Sequence, residues 1–253
     1  MPQLRRRSIM MSPSSPAAKG RGAGAGSLKV MGLLLMMMGV SLCHCARSPH
    51  LREHETYAYH YTRKGAEIGT EIFSVEKTGR HFAIKSDINI GEADRFQRGN
   101  SELILRKKGK PLAYSRRLEV RLPEVPAQNG VWEFNYDFHG KKVMGDITKD
   151  GVPQWSGTVE VGKGRVYCID NNAISLLAIL IKAIYPEMRE ETAYSVRAIH
   201  FSEARVRDVI FRKVREGTYN CRIGGVDVGD LSIRDGILLK HEDTKTGLVI
   251  LLK

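Results

Sequence analysis

The 253-residue chain contains only four cysteines and two tryptophans, and it has no apolar run of the roughly 20 residues that a bilayer-spanning helix needs. Its first 45 residues hold no aspartate or glutamate. No Gly-x-Ser-x-Gly elbow surrounds a serine, and Gly162-Lys-Gly-Arg-Val leads into an extended run at the wrong spacing for a phosphate loop. Cys168 and Cys221 have neither zinc-site nor redox-pair spacing. There is no internal repeat, and no Pro/Ser/Gly-rich linker after residue 50. Together these absences argue against a helical membrane protein, a multidomain chain and an enzyme recognisable by motif. No cofactor is expected.

The acid-free leader carries Arg5, Arg6, Arg7, Lys19, Arg21 and Lys29 ahead of an apolar run of about 14 residues, Val30–Cys43. A basic leader, a short apolar stretch and then small or polar residues form an export signal. Cleavage after Cys45 places Cys43 and Cys45 at the recognised positions, and cleavage after Ala46 places His44 and Ala46 there. A lipoprotein signal needs a small residue before its cysteine, a rule that Leu42 and His44 break. Met10, Met11 and Met31 are alternative starts. The expected organisation is a leader and signal over 1–45, a linker over 46–54 and one domain over 55–253. The expected location is the periplasm or cell envelope, with residues 30–43 either removed or kept as a membrane anchor.

Charge reads differently once the leader is set aside. It holds six of the 40 basic residues, leaving 34 against 28 acidic ones, a net of about +6. Basic and acidic residues are interleaved around Arg205-Val-Arg207 and Phe211-Arg-Lys213, so a solvated face is expected there and no nucleic-acid partner. In an oxidising compartment Cys168 and Cys221 are read as one disulfide, closing a loop of about 53 residues and stabilising the fold by up to about 4 kcal/mol. The alternative is two buried free thiols.

From residue 55 the hydrophobic period is two. Tyr57, Tyr59 and Tyr61 share one face; runs follow at 67–78 and 81–90, and the polar stretch 91–100 reads as a loop. Runs at 103–107 and 112–120 flank Lys108-Gly109-Lys110, and runs at 131–138 and 142–148 flank His139-Gly140. Further strands are expected at 154–161, 166–169, 194–201, 206–214, 218–223, 226–233, 237–241 and 248–252. Connections this short are hairpins, so the sheet is read as an antiparallel meander. One segment breaks the period. Residues 172–185 are apolar almost all round, with Asp170, Asn171 and Asn172 as N-cap candidates and Pro186 as a stop. The expected fold is mainly β, a large curved antiparallel half-barrel wrapped around this one apolar helix.

Glu55-Thr-Tyr-Ala-Tyr followed by Glu67-Ile-Gly-Thr, the central Asp170-Asn-Asn-Ala-Ile-Ser-Leu-Leu, and the closing Ile233-Arg-Asp-Gly-Ile-Leu-Leu-Lys resemble an uncharacterised family of exported bacterial proteins, known only as a domain of unknown function. The resemblance implies an exported β-rich fold and no assigned activity. More distantly, a curved sheet holding helices is similar to the half-barrel of periplasmic lipoprotein carriers of the LolA and LolB type. This chain departs from them in having one convincing helix rather than several.

His54 and His60 have the parity to share a strand face, but no third ligand is evident, and no metal site is assigned. The apolar inventory is the stronger pointer. Tyr57, Tyr59, Tyr61, Trp132, Ile174, Leu177 and Ile181 are the expected lining of a site for a lipid or other amphipathic molecule, with Lys182 at its edge for an anionic headgroup. The expected function is that of an exported, membrane-proximal envelope protein binding such a ligand. The alternative is a structural module presenting its sheet edge to an envelope protein, and an enzyme is the third reading.

Overall fold

Three hairpins close on the same kind of turn, each a residue-glycine pair with both φ angles positive: Lys64-Gly65, Asp150-Gly151 and Asp235-Gly236. Turns of this hand match the twist of the strands they join, which is why the sheet propagates through them. The computed structural model describes residues 51, 53–92, 94–171 and 173–253. Among these residues the strands are β1 (Glu55–Arg63), β2 (Ala66–Thr78), β3 (His81–Glu92), β4 (Arg95–Arg106), β5 (Pro111–Arg121), β6 (Gly130–His139), β7 (Lys142–Lys149), β8 (Val152–Glu160) and β9 (Tyr167–Ile169). The helix α1 (Ile174–Met188) follows, then β10 (Ala193–His200), β11 (Arg205–Arg215), β12 (Thr218–Ile223), β13 (Val226–Arg234), β14 (Ile237–Asp243) and β15 (Leu248–Leu252).

All fifteen strands belong to one open sheet running from β8 through β1, paired with β15 at its middle, to β9 at the far edge. The sheet curls into a half-barrel around α1, as the alternation of apolar positions predicts. Its two ends approach each other. Phe201, just after β10, stacks on Tyr114 of β5 at 3.8 Å between ring centroids, and its carbonyl accepts the Tyr136 hydroxyl at 2.6 Å.

Three local expectations are corrected. Residues 95–100 form the start of β4, not a loop: Arg95 pairs with Glu92 and Asn100 with Asp87. The inward positions there are Gln97, Gly99 and Ser101, so no apolar period marks the strand. Gly99 meets β5 so closely that a Cβ would sit 2.1 Å from the Arg117 carbonyl oxygen. Second, the meander is not antiparallel throughout, because β9 and β10 pair in parallel through the α1 crossover. Third, α1 continues past Pro186 to Met188. Proline removes one backbone donor, but the Arg189 N–H donates to the Tyr185 carbonyl at 3.0 Å and Met188 is fully buried, so the last turn holds.

Eleven of the fifteen residues of α1 are buried. They meet Tyr59, Phe73, Ile84, Leu103, Leu105, Tyr114, Phe211 and Leu238 in one continuous core. A smaller cluster of Ile88, Leu118 and Val120 lies beyond the helix N-terminus.

The expected Cys168–Cys221 disulfide is absent, and both cysteines are free and buried. Strands β10 and β11 lie between β9 and β12, three inter-strand spacings or about 14 Å, whereas a disulfide needs Cα atoms within about 7 Å. Burial raises both thiol pKa values, that of Cys221 to about 12.

Candidate functional site

An apolar helix buried in a trough presents unpaired N–H groups at its first turn, and these must find acceptors. Asp170, Asn171 and Asn172 were the expected cap. Asn172 lies outside the described residues; the residue in the cap position is Ala173, and no described side chain of its own segment caps the helix. The acceptor comes instead from β2. Glu71, with no solvent exposure, receives the N–H of Ile174 at 2.9 Å on Oε2 and that of Ser175 at 3.1 Å on Oε1. The Tyr61 hydroxyl donates to Oε2 at 2.8 Å and the Ser86 hydroxyl to Oε1 at 2.7 Å. Each carboxylate oxygen thus accepts two bonds, and the positive end of the helix dipole faces a negative charge. Burial, and after it the Glu71 charge, holds the Tyr61 phenol well above its ordinary pKa, so it remains a donor.

A second buried charge sits beside the first. Arg116 of β5 donates from Nη1 to Asp170 Oδ2 at 2.8 Å and to the Asn171 carbonyl at 2.9 Å, with side-chain exposures of 3% for Arg116 and 0% for Asp170. Asp170 also accepts the Tyr114 hydroxyl at 3.0 Å, the Ser202 N–H at 3.0 Å and the Ser202 hydroxyl. Asp170 therefore acts as a hub tying β5, the β9–α1 junction and the turn after β10, not as a cap. His200 rests against Asn171 Oδ1 at 3.0 Å with its Nδ1 buried and without a partner among the described residues.

The residues expected to line a ligand site form a filled core. Tyr59, Tyr61, Ile174, Leu177 and Ile181 are buried, and Tyr57 is half-buried against Phe73 at 4.8 Å between ring centroids. Voids on the two flanks of α1 measure about 20 and 10 Å³, room for one water at most. Lys182 is held by Glu55 and by the Tyr57 hydroxyl at 3.0 Å, so it has a carboxylate already. Trp132 is half-buried over the Ile88, Leu118 and Val120 cluster, its indole N–H donating to the Gln128 carbonyl at 2.8 Å. His54 precedes β1 with φ 63°, so strand parity does not unite it with His60, which meets Glu67 Oε1 at 2.9 Å.

The space lies elsewhere in the same trough, at the mouth beyond the helix N-terminus. A cavity of about 710 Å³ opens there, within the usual range for small-molecule sites. Tyr61, Ile68, Ile90, Phe96, Leu122 and Leu248 supply apolar walls; Arg63, Lys64 and Arg95 supply cations; Asp94 and Glu124 supply carboxylates. Arg95 is engaged by Glu124 at 2.5 Å. Arg63 is different: its Nε is buried and has no hydrogen-bond acceptor among the described residues, and its guanidinium makes no ion pair among them. The chemistry on offer is burial of an alkyl or aromatic body with an anionic end at Arg63. Sequence reasoning identified the trough but placed the ligand beside the helix. The mouth was hidden because the 91–100 stretch that walls it was read as a loop. Comparison with family models, curated proteins and solved structures finds no match for this chain.

Proposed function

We propose that this chain is an exported envelope protein that binds an amphipathic molecule bearing one anionic group, such as a fatty acid or lysophospholipid, in the mouth of its half-barrel. The observation that carries this reading is the pairing of a 710 Å³ apolar-walled cavity with Arg63, a partly buried cation without an acceptor among the described residues. A buried donor left unmatched costs on the order of 1–3 kcal/mol, which an incoming carboxylate or phosphate relieves. Each Å² of apolar ligand surface removed from water adds about 25 cal/mol. In this reading α1 is a fixed plug that floors the site, since Glu71 ties it to β2, and the ligand enters over the β3–β4 and β1–β2 hairpins.

The test is a titration of the full chain with a fluorescent fatty acid. Wild type is expected to bind saturably, Arg63→Ala to bind at least tenfold more weakly, and Ile68→Trp, which fills the cavity, to lose binding. Absence of saturable binding, or affinity indifferent to both substitutions, overturns the proposal.

One observation favours the alternative reading of an interaction module. Strand β8 ends the sheet with one side unpaired, and Val152 on it is 59% exposed, so the edge can accept a partner's strand. Pro153 within β8 and the short pairing surface weigh against it.

A further inference from the structure

We propose that the end of the sheet opposite the mouth is a docking surface for a bilayer carrying anionic phospholipids, with a headgroup phosphate seated in a cationic cavity. The proposal is independent of ligand binding at the mouth. At this end β4 turns into β5, β6 turns into β7, and the chain passes from β8 to β9. These three connections enclose a cavity of about 550 Å³ walled by Arg106, Lys108, Lys110 and Arg165, with Phe138 and Val166 as apolar floor, and no carboxylate lines it.

The charge of the β4–β5 turn is not neutralised nearby. The side chains of Arg106, Lys108 and Lys110 have no ion-pair partner among the described residues, whereas Lys77, Lys85, Arg95 and Lys240 each meet a glutamate. Lys107, Lys141 and Lys163 add exposed cations on the same three connections. Glu160, the carboxylate at the end of β8, is taken by Lys142 at 3.3 Å. Cations gathered this closely repel one another, and a surface of phosphates relieves that repulsion.

Connectivity points to a membrane as the source of those phosphates. Strand β1 starts at this end: Glu55 pairs with Val75, next to the β2–β3 turn. The sequence upstream of Glu55, with its apolar run at 30–43, therefore joins the domain on the cationic side. The intervening residues 44–54 can reach at most about 40 Å, so an apolar run held in a bilayer would tether this end within that distance of the surface.

The test is flotation of the full chain with vesicles of phosphatidylcholine alone or with about one third phosphatidylglycerol, at about 0.05 and 0.5 M NaCl. Each cation near an anionic surface is worth about fivefold in partitioning. Wild type is expected to prefer the anionic vesicles at low salt and to lose that preference at high salt. Lys108→Glu/Lys110→Glu is expected to lower the preference at least about 25-fold, while Arg121→Glu/Lys245→Glu, at exposed positions of the opposite end and outside the mouth lining, leaves it intact. Near-UV circular dichroism matching wild type establishes that both variants are folded. No preference for anionic vesicles overturns the proposal. So does a preference that survives reversal of Lys108 and Lys110, which then belongs to the leader's own cations. A short DNA duplex binding as tightly as the vesicles marks a general polyanion surface and also overturns it.

Discussion

Glu71 Oε2 on β2 accepts the backbone N–H of Ile174, the first residue of α1, at 2.9 Å across 103 residues of sequence. A helix is thereby capped by the sheet that surrounds it. Capping usually comes from a neighbouring residue and contributes about 1 kcal/mol. Here one buried carboxylate serves two helical N–H groups and two hydroxyls, so its removal strands four donors.

Glu71→Ala is accordingly expected to destabilise the domain by about 3–5 kcal/mol, since buried donors lose a charged acceptor. Glu71→Gln, which keeps one acceptor oxygen but turns an NH₂ toward the remaining donors, is expected to cost about half as much. Urea denaturation followed by circular dichroism measures both. An alanine variant within about 1 kcal/mol of wild type would show that the cap contributes only as an ordinary one does.

The Arg116–Asp170 pair makes a different prediction. Breaking a buried pair from one side leaves an uncompensated charge, so Arg116→Met and Asp170→Asn are each expected to cost about 3–5 kcal/mol. The double variant should cost clearly less than the two singles added together, and the difference is the coupling energy of a double-mutant cycle. Strict additivity would mean that the two residues act through separate partners.

Cys168 and Cys221 are free, buried and held protonated, so neither should react with iodoacetamide in the native state at neutral pH. Both should be alkylated in urea. Peptide mapping reads the two sites separately. A linked Cys168–Cys221 peptide from protein secreted into an oxidising compartment would contradict the strand order itself.

His200 supplies the pH dependence. Burial lowers its pKa below the ordinary 6.5, against the opposing pull of Asp170. The unfolded chain therefore binds a proton near pH 6.5 that the folded state refuses. The stability tied to a neutral His200 is fully present above that value and is lost as pH falls below it toward the folded pKa. His200→Gln removes this dependence. The gap in urea midpoint between wild type and the variant should be constant from pH 8 to 7 and shift against wild type from pH 6.5 to 5. A gap that does not move with pH would show that His200 titrates alike in both states.

Much of this architecture was legible in the sequence. Tyr57, Tyr59 and Tyr61 announced an inward row, Lys108-Gly109-Lys110 and His139-Gly140 announced hairpins, and the apolar 172–185 stretch announced a helix needing cover on nearly every side. The misses share a cause. The polar start of β4 was unreadable because Gly99 sits where β5 leaves no room for a side chain, Ser101 lies between Ser86 and Arg116, and Gln97 faces the open mouth. Asp170 was read as a cap because it stands beside the helix, yet Arg116 claims it from 54 residues away. Glu71 carried no local signal, for a glutamate in a strand ordinarily faces water.

The sequence by itself determined the strands, their turns, the single helix and the need for a trough. Those follow from side-chain periodicity and turn chemistry acting over a few residues. Only the tertiary structure decided that the trough is filled beside α1 and open beyond it, that two strands stand between the cysteines, and that Arg63 and the Arg106–Lys110 turn lie at opposite ends. Such matters depend on which distant groups meet. A buried carboxylate is tolerated only when donors converge on it, and a cavity remains only where no side chain reaches.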